Sequence, residues 1–196
     1  MSKKLSEMTL EELWELFPII LTEHKSEWND YYSEMEAILK EELHDRQIVR
    51  ISHIGSTAIN GIWAKPIVDI LVEISLDENM QAVAEQIEKC GFLRMLEEKG
   101  RISFNKGYTE NGFDEKVYHL HLRFIGDNDE SYFRDYMNEH PQLAKEYEKL
   151  KLGLWKRFEH NRDGYTNAKT DFVKKYTVEA KKQYSPVQTE KIKKES

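Results

Sequence analysis

The chain has little cysteine, proline or glycine. Among its 196 residues there are one cysteine, four prolines and nine glycines. A single cysteine, Cys90, excludes an internal disulfide framework and is typical of a protein kept in a reducing compartment. The cysteine content therefore predicts a cytoplasmic protein.

Long apolar runs and an excess of positive charge are also absent. No window approaches the roughly 18 apolar residues that a membrane span needs, and the first residues, MSKKLSEMTLEEL, lack the apolar core of a signal peptide. There are 29 Lys and Arg residues against 36 Asp and Glu, a net charge of −7. Because an acidic surface repels nucleic acid and anionic membranes, we expect neither general nucleic-acid binding nor membrane binding.

Aromatic residues, by contrast, are plentiful: four Trp, ten Tyr and eight Phe. An aromatic-rich chain of this length can bury a core as one globular domain. We predict a single domain over residues 1–178 and a lysine-rich, flexible tail over residues 179–196. The sequence leaves open whether the protein forms an oligomer.

Hydrophobic periodicity predicts an α+β fold, with a small mixed sheet flanked by N- and C-terminal helices. Thr9 and Glu12 form a capping box that predicts an N-terminal helix, and Asp77 is the expected N-cap of a helix that Gly91 closes. The segments expected to be extended are IVRISHI, IVDILVEI (residues 67–74), RISFNKG and VYHLHLRF (residues 117–124). The polar stretch YTENGFDEK between the last two is expected to form a loop.

Gly55, Ser56 and Thr57 follow the first predicted strand. A glycine at that point lets the backbone turn and leaves amide hydrogens that, with the two hydroxyls, can cradle a phosphate. An ordinary turn with a helix N-cap explains the same residues, and the tripeptide alone favours that simpler interpretation.

Asp69 is the only charged residue inside the run IVDIL. An unpaired buried carboxylate is unfavourable, so it requires a partner: a metal ion such as Mg²⁺, Lys65 or an arginine. Leu71 and Glu73 share its face of the strand, but Glu73 lies ~13 Å away by strand rise, too far to hold the same ion. We expect Glu73 to be a solvated acid at the strand end.

His119 and His121 alternate along the last predicted strand, so both imidazoles project to one side with ~7 Å between their backbones. That spacing suits joint metal ligation or joint anion binding, and imidazole pairs suit Zn²⁺ better than Mg²⁺. Two partly exposed histidines on the solvent face of an amphipathic strand are the alternative, which the pattern alone favours.

Together these motifs are more specific than apart. A strand, Gly-Ser, twelve further residues and an Asp opening an apolar strand are similar to the phosphate-and-metal signature of the DNA polymerase β-like nucleotidyltransferase superfamily. More closely, HIGSTAINGIWAKPIVDI followed by YHLHLRF and FRDYMNEHPQLAKEYEKLK resembles the GrpB family, formerly a family of unknown function. The resemblance runs from about Trp28 to Tyr176.

The resemblance implies a nucleotidyltransferase-type fold in which a Gly-Ser turn binds a triphosphate. The implied partner is a nucleotide or another phosphorylated small molecule. The resemblance assigns phosphate binding to Gly55, Ser56 and Thr57. Lys65 and Lys106 are further candidates, because their positive charge would neutralise a phosphate.

The resemblance also implies a divalent metal ion, Mg²⁺ or Mn²⁺, with Zn²⁺ as the alternative for the histidine pair. Asp69 would be the catalytic residue and first metal ligand, and His119 and His121 would face the same cleft as further ligands. The superfamily's second carboxylate normally lies two residues after the first. That position here is Leu71, which cannot bind a metal, so a two-ion mechanism loses a ligand.

Three functions therefore remain open. The first is a metal-dependent, nucleotidyltransferase-like enzyme with an unknown acceptor. The second is a catalytically degenerate module that binds a nucleotide or coenzyme without chemistry, which Leu71 favours. The third is a metal-assisted hydrolase that uses the His119–His121 pair.

Overall fold

The structure is a computed structural model that describes residues 3–184. It contains five strands: β1 (Ile48–Ile54), β2 (Val68–Ile74), β3 (Leu93–Glu98), β4 (Arg101–Thr109) and β5 (Gly112–Phe124). They form one sheet in the order β1-β2-β5-β4-β3. The central pair, β2 and β5, is parallel, and the other neighbours are antiparallel. The predicted small mixed sheet is confirmed.

In sequence, helices precede and follow the strands, and one helix lies between β2 and β3. They are α1 (Leu10–Leu16), α2 (Glu27–Glu42), α3 (Met80–Lys89), α4 (Asp129–Glu139), α5 (Pro141–Phe158), α6 (Arg162–Ala168) and α7 (Thr170–Tyr184). The α+β class with flanking helices is therefore confirmed. None of the helices in the described range is long and apolar enough to cross a membrane.

The two faces of the sheet carry different layers. On one face α2 and α3 build the main apolar core with alternate residues of β2 and β5, among them Ile70, Val72, Leu120 and Leu122. A second apolar cluster joins α4 and α5 through Phe133 and Tyr147. Because side chains alternate along a strand, Asp69, His119 and His121 point away from the main core and toward the C-terminal helices.

The capping box at the first helix is confirmed. The Thr9 hydroxyl accepts from the Glu12 amide at 3.2 Å, and a Glu12 carboxylate oxygen accepts from the Thr9 amide at 2.7 Å. The predicted cap of α3 is wrong: Asn79, not Asp77, accepts from the first free amides of that helix. Asn and Asp are equally good N-caps, because either side-chain oxygen accepts from the first amides of a helix. Residue type alone therefore does not show which of Asp77 and Asn79 caps α3.

The polar stretch expected to be a loop extends the sheet instead. The ends of β4 and β5 form a hairpin in which Thr109 pairs with Gly112. Strand β3 was not predicted, because its residues LRMLEE are mostly exposed and lack a period-two pattern. At the C-terminus α7 continues to Tyr184 with Ala180 buried, past the predicted domain boundary. The rest of the predicted tail, residues 185–196, lies outside the described residues.

Candidate functional site

A cleft of about 760 Å³ opens between the sheet and helices α4 to α7. It exists because β2 and β5 are parallel neighbours with Asp69 directly opposite His119, while the end of β1 pairs beside Asp69. Residues distant in sequence thus meet at one end of the sheet. The predicted site residues that line the cleft are Gly55, Ser56, Lys65, Asp69, His119 and His121.

Gly55 allows the turn to approach the carboxylate. Its φ is +72° with ψ −170°, a region that glycine alone occupies readily. A Cβ atom at this position would lie 2.1 Å from Oδ2 of Asp69, so any side chain would displace the carboxylate. Ser56 then begins a short 3-10 turn ending at Ala58, and the first amides of such a turn have no partner within it.

Asp69 is partnered by imidazoles. Its Oδ1 atom accepts from Nδ1 of His119 at 3.2 Å and lies 4.0 Å from Nε2 of His121. Burial raises the pKa of Asp69, but the hydrogen bond from His119 and the nearby imidazole of His121 outweigh it and hold that pKa well below its usual value. The carboxylate is therefore ionised at neutral pH. Among residues 3–184, neither Lys65 nor an arginine makes a direct hydrogen bond or ion pair with Asp69.

His119 is held at both ring nitrogens. Its Nε2 atom lies 2.7 Å from the Tyr108 hydroxyl, and Arg162 donates to that hydroxyl oxygen at 2.9 Å. Burial lowers the pKa of His119, and Asp69 only partly offsets this. In the neutral ring, Nδ1–H donates to Asp69 and Nε2 accepts from Tyr108, so every group in the chain is satisfied.

The donor set does not fit a two-ion metal centre. Leu71, at the place of the second carboxylate, is completely buried, and both nitrogens of His119 are already hydrogen bonded. Within residues 3–184 no three or more His, Cys, Asp or Glu side chains are arranged to hold a metal ion. Asp69, His119 and His121 do converge, with Asp69 hydrogen bonded to His119 and 4.0 Å from His121.

Glu73, the other acid on this face of β2, is not the solvated residue that we expected. Its side chain is 1% exposed and accepts from Arg50 at 2.7 Å and from Asn128 at 2.9 Å. Arg50 lies opposite Glu73 on β1, a pairing that depends on strand register. Glu73 thus forms a structural ion pair with Arg50 and lies outside the cleft.

Six cations line the cleft, of which Lys174 and Lys181 lie on α7. We call the other four the cation wall: Lys65, Lys151, Arg162 and Lys169. Lys151 is 1% exposed; its ammonium donates to the Trp63 carbonyl and lies 4.8 Å from the centre of the Tyr147 ring. Burial and neighbouring cations lower the pKa of Lys65 and of Lys151 to about 7. Both ammonium groups are therefore close to losing their proton at neutral pH, and an anion beside them would favour the charged form.

Sequence reasoning missed Lys151, Arg162 and Lys169. One signal was available: Lys151 follows the buried Tyr147 by one helical turn, so it falls on the apolar stripe of α5. A lysine on a buried stripe requires a partner. Arg162 lies on α6 and Lys169 directly follows it. The sequence pattern did not reveal this short helix.

Two predicted phosphate residues lie elsewhere. Thr57 is buried, and its hydroxyl donates to the Ile67 carbonyl at 3.2 Å and bonds the His53 ring at 3.0 Å. Lys106 pairs with Tyr118 on the opposite face of the sheet, where it donates to the Cys90 carbonyl at 2.6 Å. The structure therefore corrects both assignments, because neither side chain reaches the cleft.

The fold and cleft define a class: an α+β domain that presents a glycine turn and a strand carboxylate to a cation-lined pocket. The chain belongs to the GrpB family, since the family described as GrpB protein matches residues 18–179. The predicted family membership is confirmed.

Individual relatives agree with the family assignment. The glutamate-rich protein GrpB of Alkalihalophilus pseudofirmus is 35% identical over 161 residues, which covers 79% of this chain and 91% of that protein. YqkA of Bacillus subtilis is 29% identical over 163 residues but the match covers only 46% of that protein. The crystal structure of GrpB from Enterococcus faecalis has a TM-score of 0.72 and 28% identity, covering 84% of this chain and 99% of that one.

The crystal structure of polymerase beta from Leishmania infantum, in a ternary gap complex, was also matched, and the match covers 54% of that chain. Its TM-score is 0.41 at 11% identity over 76% of this chain. A likeness that weak supports no inference about activity.

Proposed function

We propose that this protein binds a nucleotide or another phosphorylated small molecule in the cleft, with a phosphate against the Gly55–Ser56 turn. The observation that carries the proposal is the convergence of that turn with the cation wall in one pocket. Cations that are crowded into one partly buried pocket repel one another, and a bound anion offsets that repulsion. A cytoplasmic location is part of the same proposal.

The cleft favours binding over two-ion nucleotidyl transfer. The second ion would need a carboxylate where Leu71 is buried. The hydrolase hypothesis needs His119 as a ligand, and both nitrogens of that ring already have partners. Among the three hypotheses, the binding module is therefore the one that the donor set fits.

A metal-dependent transferase is the second candidate, and one observation favours it. Asp69 is ionised beside the phosphate turn, and carboxylate oxygens are the protein ligands that Mg²⁺ prefers. The two candidates differ in what Asp69 does. In the binding module it orients imidazoles, whereas in the transferase it holds an ion.

A thermal-shift screen separates them. Wild type and Asp69→Asn would be heated with ATP, GTP or coenzyme A, each with EDTA and each with Mg²⁺. We expect a shift in EDTA that Asp69→Asn retains; a ligand at 100 times its Kd stabilises by about 2.7 kcal/mol. A shift that requires Mg²⁺ and is lost in Asp69→Asn would support the transferase instead. No shift with any phosphorylated compound would contradict the proposal.

A further inference from the structure

The cleft contains more positive charge than one phosphate turn requires. Lys65 precedes β2, Lys151 lies on α5, and Lys169 follows α6. The Tyr165 ring has Lys65 at 5.6 Å and Lys169 at 4.9 Å from its centre. Three separate elements thus direct lysines to the same wall of the pocket.

These lysines have few protein partners. Lys151 is almost fully buried but makes one hydrogen bond, to the Trp63 carbonyl. Lys65 has no hydrogen-bond or ion-pair partner for its ammonium among residues 3–184. An ammonium group has three donors, so donor capacity remains for a ligand.

The acids near the lysines are already engaged. Asp69 accepts from His119, and Glu148 accepts from Lys145 and from the Trp63 amide. Asp129 pairs with Lys181 and Glu130 with Arg123 at the mouth of the cleft. Asp163 also lines the cleft, but its side chain is exposed, where solvent and salt screen its charge.

We propose that Lys65, Lys151 and Lys169 form a second anion subsite, the lysine subsite, which binds a multiply charged phosphate chain without a metal ion. The inference rests on the proposed function and narrows its ligand class to nucleoside di- or triphosphates and coenzymes with a pyrophosphate, rather than monoesters. The lysines supply the charge that metal ions supply in two-ion sites.

The electrostatics of the free protein agree with this assignment. Burial is the main cause that lowers the pKa of Lys65 and of Lys151, and Lys169 is the next cause for both. Arg162 adds repulsion at Lys65, while Asp69 opposes it. Lys65 adds repulsion at Lys151, where Glu148 opposes it. A phosphate chain would reverse this repulsion.

The test uses inorganic pyrophosphate as the probe and the full chain in EDTA, with binding measured by calorimetry. We expect wild type to bind pyrophosphate at least about tenfold more tightly than orthophosphate, and Lys151→Met and Lys169→Met each to weaken pyrophosphate binding about tenfold, equivalent to about 1.4 kcal/mol. Lys149→Met is the matched control, since Lys149 is exposed on the same helix and the change in net charge is identical. It should leave binding unchanged.

A purely structural role for Lys151 gives a different result. If Lys151 serves only to anchor the Trp63 carbonyl, Lys151→Met should unfold at a lower temperature than wild type. We expect an equal or higher temperature without the probe, because a buried charge is replaced by an apolar side chain of similar length. Lys169→Met repeats the test at a site without that carbonyl.

The outcomes separate the two proposals. Equal affinity for pyrophosphate in wild type, Lys151→Met and Lys169→Met would overturn the lysine subsite even if nucleotides bind at the Gly55–Ser56 turn. A failure of wild type to bind pyrophosphate would overturn it as well. Lysine-dependent pyrophosphate binding without nucleotide binding would support the subsite and contradict only the nucleotide part of the proposed function.

Discussion

Two carboxylates on the same face of β2 have different surroundings. Glu73 is 1% exposed and is enclosed by Arg50, Asn128 and the Gly126 amide. Asp69, four residues earlier, has a side chain that is 25% exposed at the cleft and is partnered by imidazoles. Full enclosure by fixed donors identifies a structural acid, whereas partial enclosure beside a cavity is typical of a site.

The largest expected effect is on the stability that Glu73 provides. Glu73→Ala should lower the free energy of unfolding by about 3 kcal/mol, because it leaves Arg50 and Asn128 without their acceptor. Asp69→Asn should lower it by less than Glu73→Ala does, since an amide oxygen can still accept from His119. Urea unfolding of both variants measures the difference. Equal losses would break the distinction between the two acids.

Gly55→Ala should have the next largest effect. The new methyl group would collide with Asp69, and the backbone would be strained at positive φ, together about 2–3 kcal/mol of destabilisation. Gly61→Ala is the control: its φ is +70° but nothing lies within 4 Å of the added Cβ, so it should show only the strain of about 1 kcal/mol. Comparable unfolding curves for the two variants would mean that the turn does not abut the carboxylate.

The pH dependence of ligand binding tests whether the lysines of the cation wall must be charged to bind the ligand. In the free protein the pKa of Lys65 and of Lys151 is about 7, and a bound anion raises both. Affinity should therefore be highest below pH 7 and fall as the pH rises above it, by up to about tenfold per pH unit for each lysine. Calorimetry with ADP from pH 7.5 upward keeps the charge of the ligand nearly constant, because the last ionisation of its terminal phosphate has a pKa of about 6, as in phosphate esters. Affinity that is flat over this range would contradict the prediction.

Tyr108→Phe should have the smallest effect. It removes the hydroxyl between Arg162 and His119 at about 1 kcal/mol of stability. Without that donor, Nε2 of His119 loses its hydrogen bond, but Nδ1–H still donates to Asp69, so the ring should keep that tautomer. Imidazole ¹⁵N spectra report the tautomer directly. A mixture of tautomers would contradict this and would show that the Tyr108 hydroxyl is needed to fix the ring.

Sequence patterns predicted the parts of this molecule that depend on local order. Alternation in VYHLHLRF identified β5 and the shared direction of His119 and His121, and the family resemblance brought Gly55, Ser56 and Asp69 together. The partners of the two acids could not be predicted in the same way. The Glu73–Arg50 pair requires the register of β1 on β2, which tertiary packing decides.

The cation wall was missed for a similar reason. The period of α5 places Lys151 on a buried stripe, but Lys151 and Lys169 reach the cleft only because α5 and α6 fold back over the sheet, which no local pattern encodes. Lys106 shows the converse: its positive charge suggested phosphate binding, but strand parity directs it to the opposite face. Charge identifies candidates, and topology selects among them.

The most direct test of the central claim is an NMR titration of the wild-type protein with ATP in EDTA. The account predicts saturable shifts of the Gly55 and Ser56 amides and of the lysine side chains of the cleft, without added metal. No change at those groups in EDTA, with shifts appearing only when Mg²⁺ is added, would contradict metal-free binding in this cleft.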